Sequence, residues 1–504
     1  MTTSDHIVIW SLNLSRIHPM KPLLFALAST LAVSACAVGP DYVRPDVHAP
    51  AAFHATPPAG ARASTPVASL ERWWDAFQDP TLSRLVAVAV RQNLSLEQAR
   101  ARVQLSRAAL GDATAELLPS ASVAASASRA KQSTETPLGQ VLASQPGFDR
   151  FGNEYDGNLV AGWELDLFGG LRRGREGAVA DVEASQAGYA AATLEVQAQV
   201  ADDYLAIRGL QQRLAVAREQ VDTQTRLTHT IRLQFEAGVA AALQLHQAEG
   251  ALSQVEATVP RLESALASAM NALDVMLARQ PGESQVELAA VEPIPQAPQL
   301  AQAGGPADLL RRRPDLIAAE RQLAASNAHI GQAIAEYYPK FSLSALIGTA
   351  TTTAGNQFSG PASQAQGVLG LRWRLFDFGR VDAEIKAAKA RDADALATYR
   401  LAVLRASEDV EDALVALDKR QKETDILAGG EDSLQQAEVA SEKAYKGGAV
   451  SLIEVLDANS RLLATRDAKV QAQAGSARAA VAAFLALGGG WDPERGVASV
   501  AAAP

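Results

Sequence analysis

Cysteine is almost missing from this chain. Of 504 residues only Cys36 is one, so no disulfide can form within the chain. Aromatic residues are few, at 5%, while alanine is abundant. That balance suggests long helices packed closely along their lengths. After Cys36 no run of about 18 apolar residues occurs, so no membrane-crossing helix is expected. A membrane could then be spanned only by strands of a β-barrel. Basic residues are in deficit, 46 Lys and Arg against 56 Asp and Glu, for a formal net charge of −10. This argues against a nucleic-acid partner, which would need a basic face. The seven histidines, His6, His18, His48, His54, His229, His246 and His329, make no metal-binding spacing. Gly-x-Ser-x-Gly, a phosphate-binding loop and a dinucleotide fingerprint are all missing. No enzyme activity, metal or cofactor is expected.

What is present begins at the N-terminus. Met20-Lys21-Pro22 precedes an apolar run from 23 to 33, then Ser34-Ala35-Cys36. A charge, a short apolar stretch and small residues make a secretory signal, expected over residues 1–35, with Met20 as a second candidate start. Val33-Ser34-Ala35-Cys36 fits a lipoprotein box, in which the Cys36 sulfur takes a diacylglycerol and Cys36 becomes the new N-terminus. Ordinary cleavage nearby is the alternative. Ala37, rather than Asp, at the next position suits sorting to an outer membrane. Residues 36–80, rich in Pro, Ala and Thr, read as a lipid-anchored extended segment, although Trp73-Trp74 opens an ordered region.

From 81 to 117 the pattern is helical, with Leu82, Leu85, Val86 and Ala89 on one face and Pro119 as its stop. Residues 120–128 and 159–167 alternate with period two and read as a strand pair. Residues 171–237 contain no proline. As one helix they would span about 100 Å. Val196, Val200, Tyr204, Ile207 and Leu214 keep one face. Gly238 breaks the run, and a further helix is expected over 243–277. The plan then repeats. Pro119 recurs at Pro339, 220 residues on; Phe168-Gly169 recurs at Phe378-Gly379 and Gly238 at Gly448, both 210 on. A second strand pair is expected through Phe341, Leu343, Ala345 and Ile347, and through Leu369, Leu371, Trp373 and Leu375. The domains are then a first helix–strand pair–helix repeat (81–280), a linker (281–305), a second repeat (306–490) and a flexible tail (491–504).

The expected fold is mainly α with a small β part, an internally duplicated unit of very long helices. Four strands per chain cannot close a membrane barrel, which needs at least about eight. Three chains would supply twelve.

Four separated motifs carry a resemblance: Cys36-Ala37-Val38-Gly39-Pro40-Asp41-Tyr42; Trp163-Glu164-Leu165-Asp166-Leu167-Phe168-Gly169; Arg312-Arg313-Pro314-Asp315 with Ala319-Glu320; and Gly488-Gly489-Gly490-Trp491. In this order they resemble the TolC-like outer-membrane efflux family, in its lipoprotein branch. Gly170, where the family usually has Arg, and Tyr337-Tyr338-Pro339, in place of a Phe before the Pro, are small departures. The resemblance implies a homotrimer, with a 12-stranded outer-membrane β-barrel joined to a periplasmic α-barrel. It implies contact with outer-membrane lipid, a periplasmic adaptor protein and an inner-membrane RND transporter that supplies the energy. Exported compounds would pass unchanged.

The candidate gate residues are Asp202 and Asp412, related by the 210 offset, with Asp409 beside them. Asp203, Glu408 and Glu411 are rivals. In the family, acidic rings narrow the periplasmic tip; a solvated helix face is the plainer reading of these carboxylates. Gly238 and Gly448 permit turns between helices, and are candidate adaptor contacts. Arg312-Arg313-Pro314-Asp315 reads as a helix start rather than an anion site. Trp163 and Trp373 suit a membrane interface or rim packing. Three functions compete: efflux duct, exit duct for protein secretion, and a structural coiled-coil lipoprotein without a pore.

Overall fold

The computed structural model describes residues 37–47, 52–55, 70–298, 300 and 306–492. Cys36, the expected signal at 1–35 and residues 493–504 lie outside the described residues. The chain is mainly helical. The first repeat holds α1 (Pro80–Gln92), α2 (Leu94–Ala115), β1 (Ser120–Lys131), β2 (Phe151–Leu165), α3 (Gly170–Glu236), α4 (Ala242–Glu256) and α5 (Thr258–Met276). The second holds α6 (Pro306–Arg312), α7 (Pro314–Ala335), β3 (Lys340–Thr351), β4 (Ser363–Arg372), α8 (Arg380–Lys446) and α9 (Leu452–Ala486). The long helices α3 and α8 each have 67 residues. None of the described helices is long and apolar enough to cross a membrane.

Two expected helices are each divided. The 81–117 helix breaks at Asn93, whose backbone is extended. Its side-chain oxygen accepts from the Ser95 and Leu96 N–H groups, and its amide donates to the Met276 carbonyl at 2.8 Å. One residue thus ends α1 and starts α2. The 243–277 helix breaks at Ala257. Pro260 has no N–H to give the Glu256 carbonyl, which interrupts the ladder. The strand pairs form as expected, but β4 stops at Arg372, before Trp373 and Leu375.

By contacts the chain divides into two units. The unit containing 108–180 and 324–393 carries one antiparallel sheet in the order β1-β2-β3-β4. Its ladders pair Val123 with Leu159, Trp163 with Leu343, and Leu343 with Leu369. β1 and β4 are its two edges.

The other unit holds the main core. Leu82, Leu85, Val86 and Ala89 of α1 meet Val196, Val200, Tyr204 and Ile207 of α3, all buried. Each buried Leu, Val or Ile side chain contributes about 2 kcal/mol. Trp73 stacks on Phe484 with ring centroids 5.4 Å apart, so order begins before α1. The 281–305 segment is more than a linker. It holds a short helix, Ser284–Glu287, fixed by the Asp274 carboxylate accepting from the Gly282 and Ser284 N–H groups. Arg208, only 2% exposed, grips it further through the Ala290 carbonyl and Glu292. Trp491 also departs from the expected tail. It is buried against Ala190 and Leu194, and its indole N–H donates to the Arg312 carbonyl at 2.8 Å.

Candidate functional site

The sheet has two unlike faces, because side chains alternate along a strand. Odd-numbered positions carry Val123, Leu159, Trp163, Leu343, Ile347, Leu369 and Leu371. The ladders pair odd with odd throughout, so these residues share one face. They are exposed: Val123 by 79%, Ile347 by 64%, Leu369 by 70%. Even-numbered positions carry Ser122, Ser126, Asp156, Asn158, Ser342, Ser344, Gln364 and Gln366. An apolar exposed face backed by a polar one is the alternation of a barrel wall, lipid outside and water inside. A soluble sheet would have covered the apolar face.

At the sheet's base the two tryptophans behave alike. The Trp163 indole N–H donates to the Leu117 carbonyl and that of Trp373 to the Tyr337 carbonyl, both at 3.0 Å. Both rings are partly exposed. Asp166 caps α3 through the Leu171 and Arg172 N–H groups. Asp377 caps α8 through the Gly379 and Val381 N–H groups. Those backbone donors, Val381 foremost, hold the Asp377 carboxyl below its ordinary value.

The residues just after Cys36 are seated in the same unit. The Val38 N–H donates to the Phe168 carbonyl. Arg173, buried, donates to the Val38 and Gly39 carbonyls and pairs with Asp41 at 2.7 Å. Gly39, at φ +97°, lies so close to Gly331 that a Cβ would stand 2.4 Å from the Gly331 Cα. Only glycine fits there. Tyr42 packs against Ala180, Ala324 and Ala325. Ala37, the first described residue, is therefore held next to Gly169 at the β2–α3 junction. Sequence reasoning found the Cys36 motif but missed Arg173, one of many arginines on a polar helix.

The acidic candidates fall in the other unit, as two separate clusters. Asp202 makes a two-point pair with Arg478 at 2.6 and 2.7 Å. The hydrogen bond to Asp202 is the main cause of the raised Arg478 pKa. Burial pushes the neighbouring Asp203 carboxyl up, against a hydrogen bond from Gln199 and with Asp202 adding repulsion. The second cluster lines a cavity of about 520 Å³ with Arg405, Glu408, Asp409 and Asp412. Arg313 bridges Asp315 at 2.7 Å and Asp409 at 2.8 Å. Burial works against the Arg313 charge, but these two carboxylates outweigh it and raise its pKa. Asp315 thus pairs with Arg313 as well as sitting in the first turn of α7. Glu411 accepts from the His54 and Ala55 backbone N–H groups, both at 2.7 Å, strapping part of the N-terminal segment to α8.

Asp202 and Asp412 stand mid-helix, about 50 Å of helix rise from the ends at Glu236 and Lys446. They are therefore not at the turns. Carboxylates nearer the second turn include Glu438, Glu442 and Glu454, the last accepting from the Ser451 N–H; the sequence reading passed over all three. Burial, then Glu442, pushes Glu438 up. The turns themselves match: Gly238 and Gly448 both have φ +74°, the left-handed region glycine favours. Val239 N–H returns to the Gln234 carbonyl and Ala449 N–H to the Ala444 carbonyl, both at 2.8 Å. Ile231, Leu245, Ala248 and Leu452 cluster beside the turns, and Tyr445 donates to Gln234 at 3.0 Å.

Comparison with known proteins agrees with this geometry. The family model described as Outer membrane efflux protein matches residues 85–279 and again 305–489. Nodulation protein T of Rhizobium leguminosarum bv. viciae is 32% identical over 92% of this chain and 90% of its own length. Outer membrane protein OprJ of Pseudomonas aeruginosa is 30% identical over 93% of this chain and 96% of its own. A solved structure of the outer-membrane channel OprN superposes with a TM-score of 0.80 at 33% identity, covering 90% of this chain and 100% of that one. The chain belongs to the outer membrane efflux protein family.

Proposed function

We propose that this member of the outer membrane efflux protein family forms, as a homotrimer, the exit duct of a tripartite efflux system for small solutes. One observation carries the reading: a four-stranded sheet with one largely apolar face and one largely polar face, the apolar face left uncovered, and with two edges that a single chain does not join. Three copies give twelve strands, enough to close a barrel and to satisfy both edges in lipid. The helices continue the duct into the periplasm, where an adaptor protein and an inner-membrane RND transporter meet it. The family match and the likeness to OprN support the channel.

Cys36 carries the lipid. The Arg173 clamp supports this, since it seats Ala37 and Val38 against the end of β2, where an acyl chain reaches the inner leaflet. Asp202–Arg478 and Asp409–Arg313 are latches between helices, and Asp412 adds its charge beside the second. Separating them is part of opening. Gly238 and Gly448 shape the turns that face the adaptor.

Conductance tests the reading. The purified protein in planar lipid bilayers is expected to give stepwise single-channel currents, and a chain lacking residues 119–168 none. An intact, assembled trimer that carries no current would sink the proposal.

A further inference from the structure

We infer that the β4 edge of one copy pairs antiparallel with the β1 edge of the next in one defined register, Leu371 opposite the partner's Ala125 and Trp373 opposite the partner's Val123. This rests on the trimeric duct proposed above and specifies its joint.

The register follows from the duplication. In the first hairpin Ser120 faces Gly162 and Arg129 faces Asn153. Moving β1 by 220 residues and β2 by 210 turns these pairs into Lys340 with Arg372 and Thr349 with Ser363, which the second hairpin makes. The tryptophan hydrogen bonds transform the same way, Trp163 to Leu117 becoming Trp373 to Tyr337. The two hairpins are thus one structural unit used twice. The joint between them, β2 on β3, is the contact a closed ring would repeat. There Ala161 faces Ala345 and Trp163 faces Leu343. Carrying β2 onto β4 and β3 onto the next copy's β1 gives Leu371 opposite the partner's Ala125 and Trp373 opposite the partner's Val123.

Three features agree with this register. It pairs odd with odd positions, so Leu369, Leu371 and Trp373 continue the apolar face onto the partner's Ala127, the partner's Ala125 and the partner's Val123, with the partner's Arg129 and the partner's Lys131 only at the far end of the strand; a slip of one residue would set Leu369 and Leu371 among the partner's serines. No like charges meet: Arg372 faces the partner's Ala124, while Gly367 and Ala365 face the partner's Arg129 and the partner's Lys131. Finally, Phe168 stacks on Tyr338 with centroids 4.6 Å apart. The corresponding Phe378 is fully exposed, and so is most of Leu118. The joint brings Phe378 onto the partner's Leu118.

Paired cysteines test it in the full-length, membrane-assembled protein. Directly opposed residues alternate between hydrogen-bonded and non-hydrogen-bonded sites, so two pairs are needed: Leu371→Cys with Ala125→Cys, and Gly370→Cys with Ser126→Cys. Displaced controls are Leu371→Cys with Ala127→Cys and Gly370→Cys with Ser128→Cys. The unsubstituted chain, with only Cys36, sets the background. After mild oxidation, cross-linked dimers and trimers on denaturing gels are expected to exceed the displaced controls by about tenfold in one opposed pair, because a disulfide tolerates little change in Cβ separation. A trimer by native mass measurement whose displaced pairs cross-link better, or whose opposed pairs do not, overturns the register alone. A chain that never trimerises overturns the register together with the duct reading beneath it.

Discussion

In α3, Val200, Ala201, Tyr204, Leu205 and Ile207 are all buried. At the matching places in α8 stand Val410, Glu411, Leu414, Val415 and Leu417. Val410, Leu414 and Leu417 are buried, but Glu411 is not, and Val415 is 48% exposed. The two helices share one inward face. In α3 a second face is also covered, by α1 and by the segment after α5. The contrast at the next turn is sharper. Arg208 is buried among Tyr204, Gln211, Ala290 and Glu292, while its counterpart Asp418 is partly exposed and pairs with the exposed Lys419 and Lys422. The two copies share one scaffold, and the first carries most of the main core. The second copy keeps the more open side.

The largest expected effect tests that asymmetry. Arg208→Met should destabilise the protein by about 2–3 kcal/mol, because the Ala290 carbonyl and Gln211 lose a buried donor. Asp418→Asn should cost less than about 0.5 kcal/mol, as exposed pairs do. Loss of helical circular dichroism on heating in detergent measures both; equal losses would break the comparison. Next in size are the turns, where the halves should agree. Gly238→Ala and Gly448→Ala should each cost about 1 kcal/mol, since both place a Cβ in the left-handed region. Unequal shifts in the same melts would show that the turns are not alike.

The smallest effect is in pH. Asp203 titrates above its unfolded value of 3.8, so the fold binds that proton more tightly, and stability falls as pH rises from there through the raised value. Asp203→Asn should flatten that fall. Glu431 behaves oppositely. Burial alone would raise it, but Lys469 and Arg466 hold it below 4.5. Its contribution is present above that pH and lost as pH drops through the lowered value. Glu431→Gln should weaken the protein at neutral pH and leave it less sensitive to acid. Melting profiles from about pH 3 to pH 8 distinguish the two slopes.

Much of this architecture could be read from residue order. The helical spacing of Leu82, Leu85, Val86 and Ala89 and the face from Val196 to Leu214 mark residues that are in fact buried. Such periodic burial is a local signal. The repeat offsets located both strand pairs and both glycine turns. What escaped was nonlocal or ambiguous. Asn93 is tolerable inside a helix until its amide meets the distant Met276 carbonyl. Pro260 is a local signal of the break that the expected 243–277 helix did not take into account; the matching residue is Val470, and α9 runs unbroken over 35 residues. At the candidate site, the partners of Asp202 and Asp409 are far away in the chain, at Arg478 and Arg313. No local pattern announces such pairs, nor the strap from His54 and Ala55 to Glu411.

The two hairpins also differ in length between their strands. The offset is 220 residues for the outgoing strand and 210 for the returning one, so the whole difference lies in the connecting segments. The first contains a short helix, Pro137–Ala143, where the second has two tight turns, Ala354–Asn356 and Gly360–Ala362. Ten residues have been gained or lost there, with the ladder pairs from Ser120–Gly162 to Arg129–Asn153 all repeated in the second hairpin. Those segments are therefore the natural place to insert foreign sequence, such as an epitope or a fluorescent label. An addition there lengthens a connection that already varies within the chain. An addition of an odd number of residues within a strand would shift every later residue of that strand to the opposite face of the sheet.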